Sequence, residues 1–252
     1  MQRRGIVIGV IVLLVAVAGA VWYLFLRGDA PPPVTLDEAV AGASSTTTGT
    51  TAPDTLPATT PDTTASSTGG DPDEAGLDGV WAVEQANSFA GYRVTEEVAG
   101  IGTNEAVGRT PQVQGALTVE GATVVDVSVE VDMTTLDSGE PRREGALASS
   151  GLETSTFPTA GFQLVEPIEL GALPAPGDTV STTAVGDLTL HGVTNRIDLP
   201  IEARLVDPTT MVVVGSSDVA LADYEIEPPT GFAVLSIEDT GIIELQLTFT
   251  KG

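Results

Sequence analysis

"GDLTLHGVTNRIDLPIEARL", residues Gly186–Leu205, is the stretch whose reading decides the fold. In its second half Ile197, Leu199, Ile201, Ala203 and Leu205 alternate with Arg196, Asp198, Pro200, Glu202 and Arg204. Successive side chains of a strand point to opposite faces, so this period of two predicts a strand with one buried and one wet face. Thr179 to Leu190 reads as the strand before it, and the chain must turn between the two at His191 and Gly192. Histidine tolerates unusual backbone angles and bonds readily to loop carbonyls, so His191, the only histidine among 252 residues, suits a turn.

The same texture extends outward in both directions. In "TVVDVSVEVDM", Val125, Val127, Val129, Val131 and Met133 share one face and Asp126, Ser128, Glu130 and Asp132 the other. Near the C-terminus, "IIELQLTFT" places Ile243, Leu245, Leu247 and Phe249 on its apolar side. Further strands are predicted over 81–84, 89–98, 112–120, 160–166 and 211–221. Many half-wet strands separated by turn signals predict an all-β domain, either a closed antiparallel barrel or a sandwich. One interval departs from the pattern. In "SGEPRREGALASSGLETSTFP", Ser138 is a candidate helix cap, Pro141 suits an early helical position, and Arg142 to Ser149 is helix-compatible. A short helix and an irregular turn ending at Pro158 are expected there. No repeat of 20 to 50 residues is evident, so solenoids and propellers are not supported.

Composition narrows the function classes. The formal net charge is −25 with only ten lysines and arginines, a surface that repels phosphate backbones, so nucleic acid is excluded as a partner. Aromatic residues make up 4% of the chain, so the core must be built mainly of Val, Ile, Leu and Ala. Cysteine is absent, which rules out disulfides and thiolate metal sites.

The N-terminus reads differently. Arg3 and Arg4 precede an uncharged run from Gly5 to Leu26, and Arg27 follows it. Roughly 20 apolar residues cross a bilayer as a helix, so residues 1–27 are expected to be a cytoplasmic tip and a single transmembrane anchor. Ala18-Gly19-Ala20 resembles a signal-peptide cleavage site, but the run continues through Leu26, which favours an uncleaved span. The arginine bias predicts a cytoplasmic N-terminus and an extracytoplasmic C-terminal part, with Trp22 and Tyr23 at the outer interface. Residues 28–76, rich in Thr, Ser, Pro, Asp and Gly, lack the apolar mass to offset chain entropy and are expected to form a disordered linker, with O-glycosylation a hypothesis. Residues 77–252 are the folded domain.

The opening stretch also carries a resemblance. "GDLTLHGVTNRIDLPI" is similar to the G-x-L-T-L-H-G-V-T signature of the YceI-like lipid and polyisoprenoid-binding domain. "GVWAVEQANSFAGYRV" (79–94), "LDSGEPRREGAL" (136–147), "TFPTAGFQL" (156–164) and "EDTGIIELQLTFTK" (238–251) resemble further pieces in the family's order, together covering Gly79 to Lys251. The resemblance implies a lipocalin-like antiparallel β-barrel with a short helix, enclosing a long apolar chain in an elongated cavity. Two departures stand out. Asn87-Ser88 replaces a frequent His-Ser, and Arg143-Glu144-Gly145-Ala146-Leu147 lacks the histidine of a frequent Arg-Asp-x-His-Leu, which puts any contact made by those histidines in doubt.

Tyr92, Val94, Phe162, Leu188, Leu190 and Leu199 are the candidate ligand-facing side chains, with Phe157 at the rim; plain core is the competing assignment for each. His191 is a candidate structural or rim residue, since no second histidine, G-x-S-x-G or H-E-x-x-H accompanies it. Arg142 and Arg143 are candidate head-group contacts, against a solvated helix face paired with Glu140 or Glu144. The acidic run Asp71–Glu74 lacks the spacing of a calcium loop. No catalytic residue, metal or cofactor is expected. The expected partners are an isoprenoid or other long-chain lipid and the membrane, with a homodimer also open. The rival functions are a stalked β-module that binds a protein and a hydrolase using His191.

Overall fold

The computed structural model of the chain describes residues 30–46, 76–229, 231 and 233–252. In chain order the elements are α1 (Leu36–Thr46), β1 (Gly79–Val98), β2 (Gly102–Thr110), β3 (Val113–Glu120), β4 (Thr123–Asp132), a 3₁₀ turn (Met133–Thr135) and α2 (Pro141–Ser149). There follow β5 (Thr159–Leu164), β6 (Ile168–Glu169), β7 (Thr179–Leu190), β8 (Val193–Asp207), β9 (Thr210–Ala220), a second 3₁₀ turn (Leu221–Tyr224), β10 (Val234–Ile237) and β11 (Thr240–Lys251). The predicted turn at His191 joins β7 to β8, which pair from Thr179↔Arg204 to Leu190↔Val193. His191 and Gly192 both take positive φ, 52° and 76°, as a two-residue hairpin loop requires if its twist is to match the flanking strands.

Eight strands form the wall in the order β1, β11, β9, β8, β7, β5, β4, β3, every pair antiparallel. Gly79–Ala82 of β1 then pairs with Ala116–Val119 of β3 and closes the barrel. Of the two architectures open to the strand pattern, the barrel is therefore the one formed, and closure removes the exposed edges that a sandwich would leave. Beyond that closure β1 continues upward, and its second half pairs with β2 from Ala90↔Thr110 to Val98↔Gly102.

Two of the expected strands, 81–84 and 89–98, are one long strand, β1, interrupted by an irregularity between Glu84 and Phe89. Asn87 and Ser88 fix that irregularity. The Asn87 carbonyl accepts from Gln246 Nε2 at 3.1 Å, and Ser88 Oγ accepts from the Thr248 amide at 3.0 Å. The alternation of β4 is likewise offset once. Opposite the consecutive β3 residues Thr118 and Val119 stand Asp126 and Val124, so Val125 is the extra residue of a bulge in β4, and Val124, not Val125, joins Val127, Val129 and Val131 on the inner face. An unpaired residue at a bulge shifts the facing of its neighbours by one position. The helix starts later than Ser138 predicts. Its cap is Glu140, whose carboxylate accepts from the Arg142 amide at 3.3 Å, and Pro141 occupies the first turn.

The linker expectation needs correcting over Leu36–Thr46. This segment is a helix docked on the outer wall of the barrel, with Leu36, Ala39 and Ala43 buried against Val212 and Val214 of β9. Asp37 adds a 2.9 Å ion pair to Arg204 of β8. Leu36, Ala39, Val40 and Ala43 recur at helical spacing in the sequence, and Asp37 and Glu38 in the first turn suit the helix dipole. The docking is demanded from the other side as well. "MVVV" (211–214) is apolar on both faces, so β9 must be covered outside as well as inside. The expected transmembrane span, residues 5–26, and linker residues 47–75 lie outside the described residues. Among the described residues no helix is long and apolar enough to cross a membrane.

Candidate functional site

The inner faces of the strands bound a cavity of about 200 Å³, counted as the space open to the centre of a water molecule. One water needs roughly 10–15 Å³ of such space, so this interior is hollow, unlike the close-packed cores in which voids above water size are few. The cavity extends along the barrel axis. Val180, Asp178, Pro174 and Leu170 border it where β7 begins, and Met133, Leu136, Leu152 and Leu190 border it below α2. Between these ends the wall is almost wholly aliphatic, with Trp81, Phe162 and Phe249 as its large rings.

Small residues create this space. Ala184, Ala203, Ala90 and Gly161 face it from four strands, and two glycines let aromatic rings lie flat against the wall. A Cβ on Gly108 would collide with the Tyr92 ring, and one on Gly186 with the Phe162 ring. Trp81 is fully buried, donates from Nε1 to the Leu77 carbonyl at 2.8 Å, and lies beneath the Lys251 ammonium, 5.9 Å from the ring centre.

Of the side chains expected to face the ligand, Tyr92, Phe162, Leu188, Leu190 and Leu199 line the cavity. Val94, expected to face the ligand, and Phe157, expected at the rim, are not among the lining residues. Val94 lies beyond Tyr92 on β1, opposite Ala106 of β2, where the strand has run past the cavity end. Phe157 stacks edge-on against the His191 ring at 4.4 Å and covers Gly192. Trp81, Val129, Ala203 and Phe249 also line the cavity. Val129, Ala203 and Phe249 sit on faces that the alternation already marked as apolar, whereas Trp81 falls in a strand to which it assigned no face.

His191 is fixed on both sides of its ring. Nδ1 donates to the Tyr224 carbonyl at 3.0 Å, and Nε2 meets Glu153 Oε2 at 2.9 Å. Both nitrogens are engaged, and no nucleophilic hydroxyl is among their partners. Glu153 and Glu225 are the other non-glycine residues with positive φ, at 45° and 55°. The histidine thus ties together the β7–β8 turn, the loop after α2 and the second 3₁₀ turn, at the three places where the backbone is most constrained. His191→Ala is expected to leave Glu153 and a buried carbonyl without a partner and to force alanine into positive φ, a loss of about 2–3 kcal/mol. Thermal unfolding should fall by about 5–10 °C, and His191→Asn, which tolerates that backbone, should lose about half as much.

Arg142 is exposed, and Arg143 pairs with neither Glu140 nor Glu144. Its Nη2 instead donates to the buried carboxylate of Glu96 on β1 at 2.7 Å, and Asn104 Nδ2 donates to the same oxygen at 2.8 Å. This pair fastens α2 over the end of the barrel. On the opposite face of β1, Glu244 accepts from Arg109 at 2.7 Å and from Arg93 at 3.5 Å, and Arg93 also meets Glu105 at 2.5 Å. That cluster holds β1, β2 and β11 together. Tyr92 belongs to the cavity wall but keeps a hydroxyl that is buried and has no hydrogen-bond partner. Burial pushes the phenol up to about 12; Arg143 opposes the shift, and Glu96 and Glu144 add to it. The phenol is therefore a proton donor at any physiological pH. Among the described residues no group of three or more His, Asp or Glu side chains is placed to hold a metal ion.

The closed antiparallel barrel, the His191–Gly192 turn and the capping helix agree with a match of residues 81–249 to the model of the YceI-like domain, about two thirds of the chain. The chain belongs to the YceI-like family. A UPF0312 protein of Shewanella denitrificans is 31% identical over 157 residues, 58% of this chain and 78% of that protein. Among solved structures, a polyisoprenoid-binding domain from Saccharophagus degradans superposes with a TM-score of 0.56 at 19% identity, over 68% of this chain and 98% of that one. BcnA of Burkholderia cenocepacia is more distant, at 17% identity and a TM-score of 0.49, over 66% of this chain and 98% of that one. At these identities the structural likeness establishes the YceI-like fold, and the chemistry must be argued from the cavity itself.

Proposed function

We propose that this YceI-like barrel holds the hydrocarbon part of an isoprenoid or related long-chain lipid inside its cavity. The observation that carries the reading is the continuous aliphatic lining from Val180 and Leu170 at one end to Leu136 and Leu190 at the other. An empty apolar space of this shape leaves its lining without partner atoms on one side. An apolar chain supplies those contacts, and each methylene taken from water contributes about 0.8 kcal/mol. Such binding requires few polar contacts, in keeping with a wall that offers few. The polyisoprenoid-binding relative from Saccharophagus degradans supports the same ligand class.

The barrel's place in the cell completes the proposal. Residues 5–26 would anchor the chain in the cell membrane, with the barrel outside, where it would take up lipid from the outer leaflet for storage, transport or sensing. The arginines on either side of that run and its length support this reading. The test is extraction of lipid from the protein purified from its own host, followed by mass spectrometry. A long-chain lipid recovered in near-stoichiometric amount is the expected result. Repeated recovery of protein free of lipid would overturn the reading.

A further inference from the structure

The two ends of the cavity are closed differently. Beneath α2 its border, Met133, Leu136, Leu152 and Leu190, is buried or half-buried. At the other end Asp178 is the one exposed residue among the described residues that line the cavity, so the cavity comes nearest to solvent there. The loop "LGALPAPG" (170–177) lies at that end, and its Leu170 and Pro174 are part of the lining. Both feet of the loop are fixed. The Leu170 amide donates to the Ala122 carbonyl at 2.8 Å, and the Gly177 amide donates to the Leu205 carbonyl at 2.7 Å. Between them Leu173 is 52% exposed.

A lone exposed leucine is ordinary on a protein surface. This one stands within eight uncharged residues of a chain whose net charge is −25, on the segment that borders the cavity where it nears solvent. An uncharged apolar run enters a bilayer interface without desolvating charge, and an inserted leucine is withdrawn from water. The chain also enters the domain at this end. Asp37, in the first turn of α1, pairs with Arg204 at 2.9 Å, and Arg204 donates to Thr179 Oγ1 at 3.0 Å, where β7 begins. The run 5–26, proposed above as the anchor, precedes that entry in the sequence. Glu169 and Asp178 flank the loop, which disfavours an anionic surface. Building on the lipid reading above, we infer that loop 170–177 docks on a zwitterionic lipid surface with Leu173 inserted, and that lipid enters the barrel past Leu170 and Pro174.

The chain has no cysteine, so one introduced thiol can carry a dye. Leu173→Cys, and Ser149→Cys on α2 at the opposite end as a control, are labelled with nitrobenzoxadiazole in the full chain. Each is reconstituted with phosphatidylcholine vesicles at less than one chain per vesicle, which keeps a second copy out of reach. Phosphatidylcholine brominated on its acyl chains should quench the dye at 173 at least about twofold, and the dye at 149 by less than about a tenth. Phosphatidylglycerol should weaken the quenching at 173. In a Trp22→Phe background, a prenyl alcohol brominated at mid-chain is then added to the vesicles and its arrival at Trp81 followed by quenching. Leu173→Asp should slow that arrival about tenfold, leave affinity for the alcohol in detergent within about twofold, and melt with the parent, since only an exposed side chain changes. Quenching at 173 no greater than at 149, stronger quenching with phosphatidylglycerol, or equally fast arrival in Leu173→Asp would overturn the inference while leaving the lipid reading intact. A dye response that appears only at many chains per vesicle would assign the loop to a second copy and overturn it too. Failure of the alcohol to bind in detergent would overturn the lipid reading and this inference with it.

Discussion

Trp81→Ala is expected to destabilise the barrel by about 3–5 kcal/mol, the range for deleting a large buried ring. The size follows from position. Trp81 is fully buried, packs between β3 and β11 at the seam that closes the barrel, and ties the strand to Leu77 through its indole nitrogen. Its loss enlarges a space that is already hollow, so surrounding side chains have little freedom to collapse into the gap. Trp81→Phe keeps most of the apolar surface and loses the 2.8 Å hydrogen bond, and about 1–2 kcal/mol should go with it. Urea unfolding followed by circular dichroism measures both variants. A loss below about 1 kcal/mol for the alanine variant would show that the seam is not where the barrel is held.

The second large effect falls on binding. Ala184 faces the cavity from the middle of β7, opposite Leu199 of β8. In a close-packed core, Ala184→Phe would overpack the interior and cost about 1–3 kcal/mol or more of stability. In a hollow barrel the ring enters existing space, so stability should change by less than about 1 kcal/mol. The ring then displaces three to four methylenes of a bound chain, which at about 0.8 kcal/mol each weakens binding about 100-fold. Thermal unfolding together with lipid titration separates the two cases. Retained stability with lost binding identifies the space as the ligand site; lost stability with retained binding places the lipid elsewhere.

Much of this architecture was written locally. The β8 alternation from Ile197 to Leu205 and the His191–Gly192 turn dictate a hairpin, because side-chain facing and positive φ are properties of a few adjacent residues. The capping helix was legible from Pro141, though its cap is not Ser138 but Glu140, whose carboxylate accepts from the Arg142 amide. What escaped depends on partners distant in sequence. Leu36, Ala39 and Ala43 look like sparse residues in a polar tract until Val212 and Val214 are seen to need an outer cover. Val125 reads as inward by strict alternation, because only the pairing with β3 shows that it is the extra residue of a bulge.

Closure as a barrel, and the hollow inside it, came from family resemblance, since strand periodicity serves a solid interior equally well. The cavity depends on which small residues face the interior, among them Ala184, Ala203, Ala90 and Gly161, and no spacing rule exposes that. Arg143 shows the same limit. Its helix neighbours Glu140 and Glu144 are near in sequence, but Glu96, 47 positions away, offers a buried carboxylate, where a charge-assisted hydrogen bond is worth more than at the surface.

The central claim is that a lipid chain lies along the inside of the barrel, beside Trp81. In a Trp22→Phe variant Trp81 is the sole tryptophan of the chain, and a prenyl alcohol carrying bromine atoms at mid-chain quenches only an indole it touches. Titration should extinguish the Trp81 emission in a saturable way at one lipid per chain, and Ala184→Phe should abolish the effect. Emission that stays constant to a large excess of lipid would contradict the account.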